Sequence, residues 1–387
     1  MRQPIYLDHA ATTPVRAEVL EAMLPFFGPR FGNPSSPHRF GREARVALDE
    51  ARERVAHSIG AEADEICFTS GGTEADNLAI LGVWRARRET RPAVVASAIE
   101  HKAVLAAVHQ VAAEGGEERL VEVDELGRVR RDRLEALVDD KVALVSVMWV
   151  NNEIGVIQDI PAFAAWAKSR GVLFHTDAVQ AFAKVPIDVR QLPVDYLSFS
   201  GHKIGAPKGI GAMFIRRGSP LTPIMFGGAQ DRGRRPGTEN VAMAVGLARA
   251  VELALEERER EWARLEALRD EMEQALLARI PDARIHGRGA PRAPHILNIS
   301  VPGTDSESLL MALDLQGVAC SAGSACQSGS ADPSYVICAL GAPHELAVSA
   351  IRFSLGSLTT PEDIRRVVEV FPALVEKARR LSGLVME

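Results

Sequence analysis

A chain of 387 residues with 47% hydrophobic and 25% charged residues has an ordinary globular composition, which sets aside fibrous and disordered classes. Its net charge of −6 argues against a general nucleic-acid or anionic-membrane binder, since phosphate surfaces select positive charge. No stretch approaches the roughly 20 apolar residues of a membrane span. Met1-Arg2-Gln3-Pro4-Ile5-Tyr6-Leu7-Asp8 has no apolar signal core, so a cytoplasmic protein is expected. Cys67, Cys320, Cys326 and Cys338 are too few for a disulfide framework and contain no Cys-x-x-Cys pair, so no structural metal site is expected.

In chain order, continuous apolar runs predict strands at 66–69, 93–98, 143–150, 172–175, 196–200 and 211–215. Amphipathic stretches between them predict helices at 41–58, 73–87, 102–114 and 161–169. Runs that are apolar throughout fit strands buried on both faces of a mostly parallel sheet, so an α/β layered fold is expected. Residues 239–280 read as one long helix or two abutting ones. After it come a strand at 296–301, a helix at 306–315, a Ser/Gly-rich loop at 320–330, a strand at 350–355 and a helix at 361–381. The expected division is a large domain at 16–257, with residues 1–15 and 258–387 forming a smaller α+β domain.

Parallel sheets bind ligands beyond the C-terminal ends of their strands, and chemistry-bearing residues collect there. In Ser198-Phe199-Ser200-Gly201-His202-Lys203 a lysine follows an apolar strand, the setting in which burial keeps an amine nucleophilic. Alone, such a lysine is more often a solvated loop residue. Asp177, in His175-Thr176-Asp177-Ala178-Val179-Gln180, also ends a strand. Alone it would be a helix cap as readily. Together the two suit pyridoxal phosphate, which needs a lysine tether and a carboxylate that keeps its ring nitrogen protonated.

Thr69-Ser70-Gly71-Gly72-Thr73-Glu74-Ala75-Asp76-Asn77 carries a strand through a Gly-Gly turn into a helix. Free N–H groups and the helix dipole make that turn a phosphate cradle, with Gly72 and Thr73 at its centre. His101 follows another strand and suits either ring stacking or helix capping. Cys326, in Ser321-Ala322-Gly323-Ser324-Ala325-Cys326-Gln327-Ser328-Gly329-Ser330, has no apolar neighbours to bury it, which suits a nucleophile. Arg352, inside an apolar strand, needs an anion, and a substrate carboxylate would satisfy it bidentately.

With these residues assembled, the chain resembles the cysteine desulfurases of the NifS/IscS type, fold-type I pyridoxal phosphate enzymes of the class V aminotransferase family. The matching stretches include Tyr6-Leu7-Asp8-His9-Ala10-Ala11-Thr12-Thr13-Pro14, Gly32-Asn33-Pro34-Ser35-Ser36, Glu100-His101-Lys102-Ala103-Val104, Arg235-Pro236-Gly237-Thr238-Glu239-Asn240 and the Cys326 loop. They span nearly the whole chain in the family's order. Trp149 departs from the family's usual His, and Ala229 from a common glycine.

The resemblance implies a role for each matched position. Lys203 would hold the cofactor as a Schiff base, Asp177 would pair with the ring nitrogen and Gln180 with the ring oxygen, and His101 would stack on the ring. Gly72, Thr73, Ser200 and His202 would hold the phosphate, with Thr238 reaching in from the other subunit of a homodimer. Asn152 and Arg352 would bind the carboxylate of L-cysteine. Cys326 would take its sulfur as a persulfide, leave L-alanine, and pass the sulfur to an acceptor such as an iron–sulfur scaffold or a tRNA-thiolation protein. Two readings compete. An aminotransferase or selenocysteine lyase would share Lys203 and Asp177 without needing Cys326. A non-catalytic sulfur relay would keep only the fold.

Overall fold

The computed structural model describes residues 4–322 and 333–381. Strand β1 (Ile5–Tyr6) and helices α1 (Ala17–Met23) and α2 (Arg39–His57) come first. Then strands and helices alternate: β2 (Ile66–Thr69), α3 (Gly72–Arg87), β3 (Ala93–Ser97), α4 (Lys102–Ala113), β4 (Glu117–Val121), α5 (Arg131–Leu137), β5 (Val142–Ser146), α6 (Ile160–Ser169) and β6 (Leu173–Asp177). Next are β7 (Tyr196–Ser200), β8 (Gly211–Ile215), α7 (Val241–Arg279), β9 (Arg284–Ile285), β10 (Ile296–Ser300), α8 (Ser306–Leu315) and β11 (Val318–Ala319). Further on lie α9 (Tyr335–Ala339), α10 (His344–Val348), β12 (Ala350–Ser354) and α11 (Pro361–Leu381).

Seven strands form one sheet in the order β2-β8-β7-β6-β5-β3-β4. Only β8 runs against its neighbours; the other pairs are parallel. The expected mostly parallel sheet is present. Every residue of β3 and β5 is buried, because helices cover both faces of such a sheet. Strand β4, Glu-Glu-Arg-Leu-Val, escapes an apolar search because it is an edge strand with half-exposed side chains. The apolar run at 143–150 ends its strand at Ser146. Beyond it, Trp149 N–H donates to the Asp177 carbonyl at 2.9 Å, which brings the following Asn151-Asn152 turn beside the end of β6.

A second sheet, β12-β10-β9, is antiparallel, and β1 pairs with β11. Leu297, Ile299, Ile351, Phe353 and Phe371 form its core with Leu265, Leu268, Met272 and Leu276 of α7. The first half of α7, from Val241 to Leu253, packs into the main core instead. One uninterrupted helix thus joins both cores, spacing apolar residues at three and four along each half. Leu7 lies in the second core, and an Asp8–Ser354 bridge ties the start of the chain to β12. Val336, Ile337 and Ala347, late in the sequence, pack back into the main core.

Candidate active site

Because β2, β3, β5, β6 and β7 share one direction, their C-terminal ends lie at one edge of the sheet. A cavity of about 360 Å³ opens there. Its lining includes Gly72, Thr73, His101, Asn152, Asp177 and Gln180, and with them Ser200, His202, Lys203 and Arg352. Ten expected site residues, drawn from positions scattered between 72 and 352, converge on one space. Thr238 is exposed and does not line this cavity. Cys326 lies outside the described residues; Ser321, five positions before it, is at the cavity wall. Trp149 packs in the main core, between the cavity-lining Met148 and Val150.

Lys203 leaves β7 through a short turn, and its amine donates to the carbonyls of Ala10 (2.6 Å) and Ala11 (2.7 Å). Burial, then Arg352 and Lys184, lower its pKa to about 8, against the pull of Asp177 and Asp8. An amine near that value is neutral often enough to attack a carbonyl. Asp177, at the end of β6, is buried, and its Oδ1 accepts from the Val179 N–H at 2.8 Å. Burial pushes its pKa up, while His101 and Lys203 pull it back. A buried carboxylate in that position calls for a cation, and a protonated ring nitrogen is one.

His101 takes the helix-capping role that the sequence left open and also lines the cavity. It caps α4, with Nδ1 accepting from the Ala103 N–H at 3.1 Å, and one side of the residue faces the cavity. Burial lowers its pKa, so a neutral ring is presented. Gln180 Nε2 donates to the Ala10 carbonyl at 2.9 Å, and its Oε1 meets His295 Nε2 at 3.2 Å.

At the other end of the cavity, α3 begins at Gly72 with Gly71, at φ 155°, as its cap. A Cβ on Gly72 would come within 2.7 Å of Val179 Cγ2, and one on Gly71 would point at Ser200 Oγ. Gly72 thus packs closely on the cavity-lining Val179, and the start of α3 beside it offers the free N–H groups that suit a phosphate. His202 meets Thr12 Oγ1 through Nδ1 at 3.2 Å, and burial holds its pKa near about 4. Arg352 donates to the Asn152 carbonyl (2.8 Å) and to Asp8 Oδ1 (2.9 Å), which leaves its buried Nε without a protein partner. Asn152 Oδ1 is likewise unpartnered. A small carboxylate would satisfy that Nε. The residues fit pyridoxal phosphate and an amino-acid carboxylate together.

One cavity-lining residue, Asp76, and two that hydrogen-bond to the lining, Glu100 and Asp8, escaped the sequence reading. Asp76 is fully enclosed beside Asp177 and His101, with ligating atoms of the three within 4.8 Å of one another. Burial first, and then Asp177, raise its pKa well above the carboxylate range. Its spacing of three after Thr73 on α3 places both on one helix face, a signal that was available. Glu100, hydrogen-bonded to Ser97 Oγ and the Met148 N–H, is pushed up to about 8 by burial. Asp8 sits in a stretch matched to the family without a role.

Residues 5–367 match the family model described as Aminotransferase class-V. The chain is 46% identical over 387 residues to the cysteine desulfurase IscS of Dictyoglomus turgidum, covering 100% of this chain and 98% of that one. It is 45% identical over 379 residues to the cysteine desulfurase NifS of Azotobacter vinelandii, covering 98% and 94%. A solved NifS-like protein superposes with a TM-score of 0.88 at 35% identity, covering 99% and 100%. The chain therefore belongs to the class V aminotransferase family, within its NifS/IscS-type cysteine desulfurases, and is a pyridoxal phosphate-dependent enzyme of fold-type I.

Proposed function

We propose that this enzyme converts L-cysteine to L-alanine and carries the released sulfur as a persulfide on Cys326. The observation that carries the reading is the convergence of Lys203, Asp177 and Arg352 on one cavity of about 360 Å³. When bound there, pyridoxal phosphate supplies an electron sink for charge developing at the substrate's α-carbon. Lys203 would tether the cofactor, then, once substrate displaces it, move the α-proton. Asp177 would keep the proton on the ring nitrogen, and Gln180 and His101 would fix the ring's tilt. Gly72, Thr73, Ser200 and His202 would hold the phosphate. Arg352 Nε and Asn152 would grip the substrate carboxylate. The Cys326 thiolate would then attack the substrate's sulfur.

Thr238 would complete the phosphate site of a second copy in a homodimer. Two facts support this: Thr238 is exposed and does not line its own cavity, and Phe27, Phe31 and Phe226 are exposed on the isolated chain. Two cores joined by α7 support a division near residue 257, with Ala293, Val336, Ile337 and Ala347 beyond it packing back into the first core. Among the described residues no helix is long and apolar enough to cross a membrane; a cytoplasmic enzyme serving a sulfur-acceptor protein of iron–sulfur assembly or tRNA thiolation is the reading adopted. Purified protein incubated with pyridoxal phosphate, L-cysteine and a thiol reductant should release alanine and sulfide in equal amounts. Keto-acid-dependent transamination without sulfide would overturn it.

A further inference from the structure

Lys203 stands between two cavities. Besides the substrate cavity it lines a second one of about 440 Å³, bounded in part by the half-buried middle of α7. Three further residues of that second lining, His9, Lys184 and His295, each have a buried polar atom with no protein partner: His9 Nε2, Lys184 Nζ and His295 Nδ1. Their hydrogen-bonding character is fixed by what the rest of each network does. His9 Nδ1 meets the Ser354 carbonyl at 3.2 Å, which can only accept, so His9 carries its proton there and leaves Nε2 as a bare acceptor. Gln180 Nε2 donates to the Ala10 carbonyl, so Gln180 Oε1 accepts from His295 Nε2, and His295 Nδ1 is the second bare acceptor. Lys184 is a donor at the same wall.

Two acceptors and one donor, all buried and unpaired, cost too much to leave dry, and a space this size holds several waters at about 30 Å³ each. Lys184, with Arg258 and Trp262, also lines a further pocket that is more open to the surface. Surface, second cavity, Lys203 and substrate cavity therefore follow one another in series, with solvent reaching the second cavity both past Lys184 and at its exposed rim beside Leu358. The Ala10 carbonyl ties the line together, accepting from both Lys203 and Gln180, whose other end meets His295.

We propose that this series is a hydrated proton path, with Lys184 as its relay, through which Lys203 exchanges protons with bulk solvent without using the substrate cavity. The inference rests on the reading of Lys203 as the base that moves the substrate's α-proton. In each exchange the amine gives a proton to water and takes one back, so its charge is unchanged. A base holding a substrate proton can return it to product only if it does so before this exchange.

The test runs the reaction in D2O with protiated L-cysteine and a reductant, and measures how much of the substrate's α-protium survives in the alanine, by mass spectrometry after subtracting the two β-hydrogens that cysteine carries into the product unexchanged. Wild-type alanine should carry little of it. Three variants should retain severalfold more: Ala254→Phe, which fills the second cavity, Leu358→Trp, which narrows its exposed rim, and Lys184→Met, which removes the relay. A crystal structure of the wild type should show ordered water on His9 Nε2, His295 Nδ1 and Lys184 Nζ. Equal retention in wild type and all three folded variants, near-complete retention in the wild type, or a dry second cavity would each overturn the path. A wild type that makes no alanine would instead overturn the desulfurase reading, so the two failures are distinguishable.

Discussion

Asp8 Oδ1 accepts a hydrogen bond from Arg352 Nη2 at 2.9 Å, joining side chains 344 positions apart at the wall of the substrate cavity. The contact holds the guanidinium so that its unpartnered Nε remains for a ligand. Arg352→Lys keeps the charge but removes the planar fork. Hydrogen bonds to charged groups contribute about 1.5–3 kcal/mol, so KM for L-cysteine should rise tenfold or more. Steady-state kinetics on the cofactor-loaded variant check this; an unchanged KM would detach Arg352 from the substrate.

Gly72 admits no Cβ without moving Val179, since the nearest side-chain carbon would lie 2.7 Å away. Gly72→Val should therefore fold but bind pyridoxal phosphate more weakly, as the branched side chain displaces the cavity-lining Val179 beside the start of α3. Fluorescence titration of cofactor-free protein measures the dissociation constant. Wild-type affinity would place the phosphate elsewhere.

Lys184 and Lys203 both have amines lowered to about 8, by burial first. An unfolded lysine titrates near 10.4, so between those values the unfolded chain binds more protons and stability rises with pH. The destabilising effect is full below about pH 8 and gone near pH 10.4. Lys184→Met should make the cofactor-free protein more stable at pH 7, by at most about 3 kcal/mol at 1.36 kcal/mol per pKa unit. The advantage should fade toward pH 10. Urea denaturation at both pH values reads the difference; one that is constant with pH would show that Lys184 is not buried as a charge.

Cys326→Ser should keep cofactor affinity and visible absorption while losing sulfide release, because a serine hydroxyl cannot accept sulfur as a persulfide. Sulfide release at the wild-type rate would remove Cys326 from the chemistry. Tryptic mass mapping of wild type after exposure to cysteine supplies the complement. Cys320, Cys326 and Cys338 share one tryptic peptide, 293–352, so its fragment ions should place one added sulfur atom on Cys326, while the peptide carrying Cys67 gains none. Cys67 is buried in β2 and its pKa is raised well above the thiol range by that burial.

The parts of this fold that were readable in advance are those where one local cause dominates. Continuous apolar runs located β2, β3, β6 and β7 to within two residues at either end, because burial on both faces dictates composition. The site was readable because parallel strands deliver their C-terminal residues to one edge, so Asp177 and Lys203 could be placed together from their positions alone. What depended on distant partners was not readable. The pKa of Asp76 is raised because the fold buries it, and next because α3 sets it beside Asp177. The unpaired nitrogens of His9 and His295 exist only once both cores have formed around α7. Strand β4 is defined by pairing with β3 and not by its own half-charged sequence.

The account turns on which amine carries the cofactor, and two buried lysines with similar pKa values stand near the cavity. Reducing the pyridoxal phosphate-loaded protein with borohydride and mapping its peptides decides between them. The pyridoxyl group is predicted on the peptide containing Lys203 alone; finding it on Lys184, or on no lysine, would contradict the assignment of the active site.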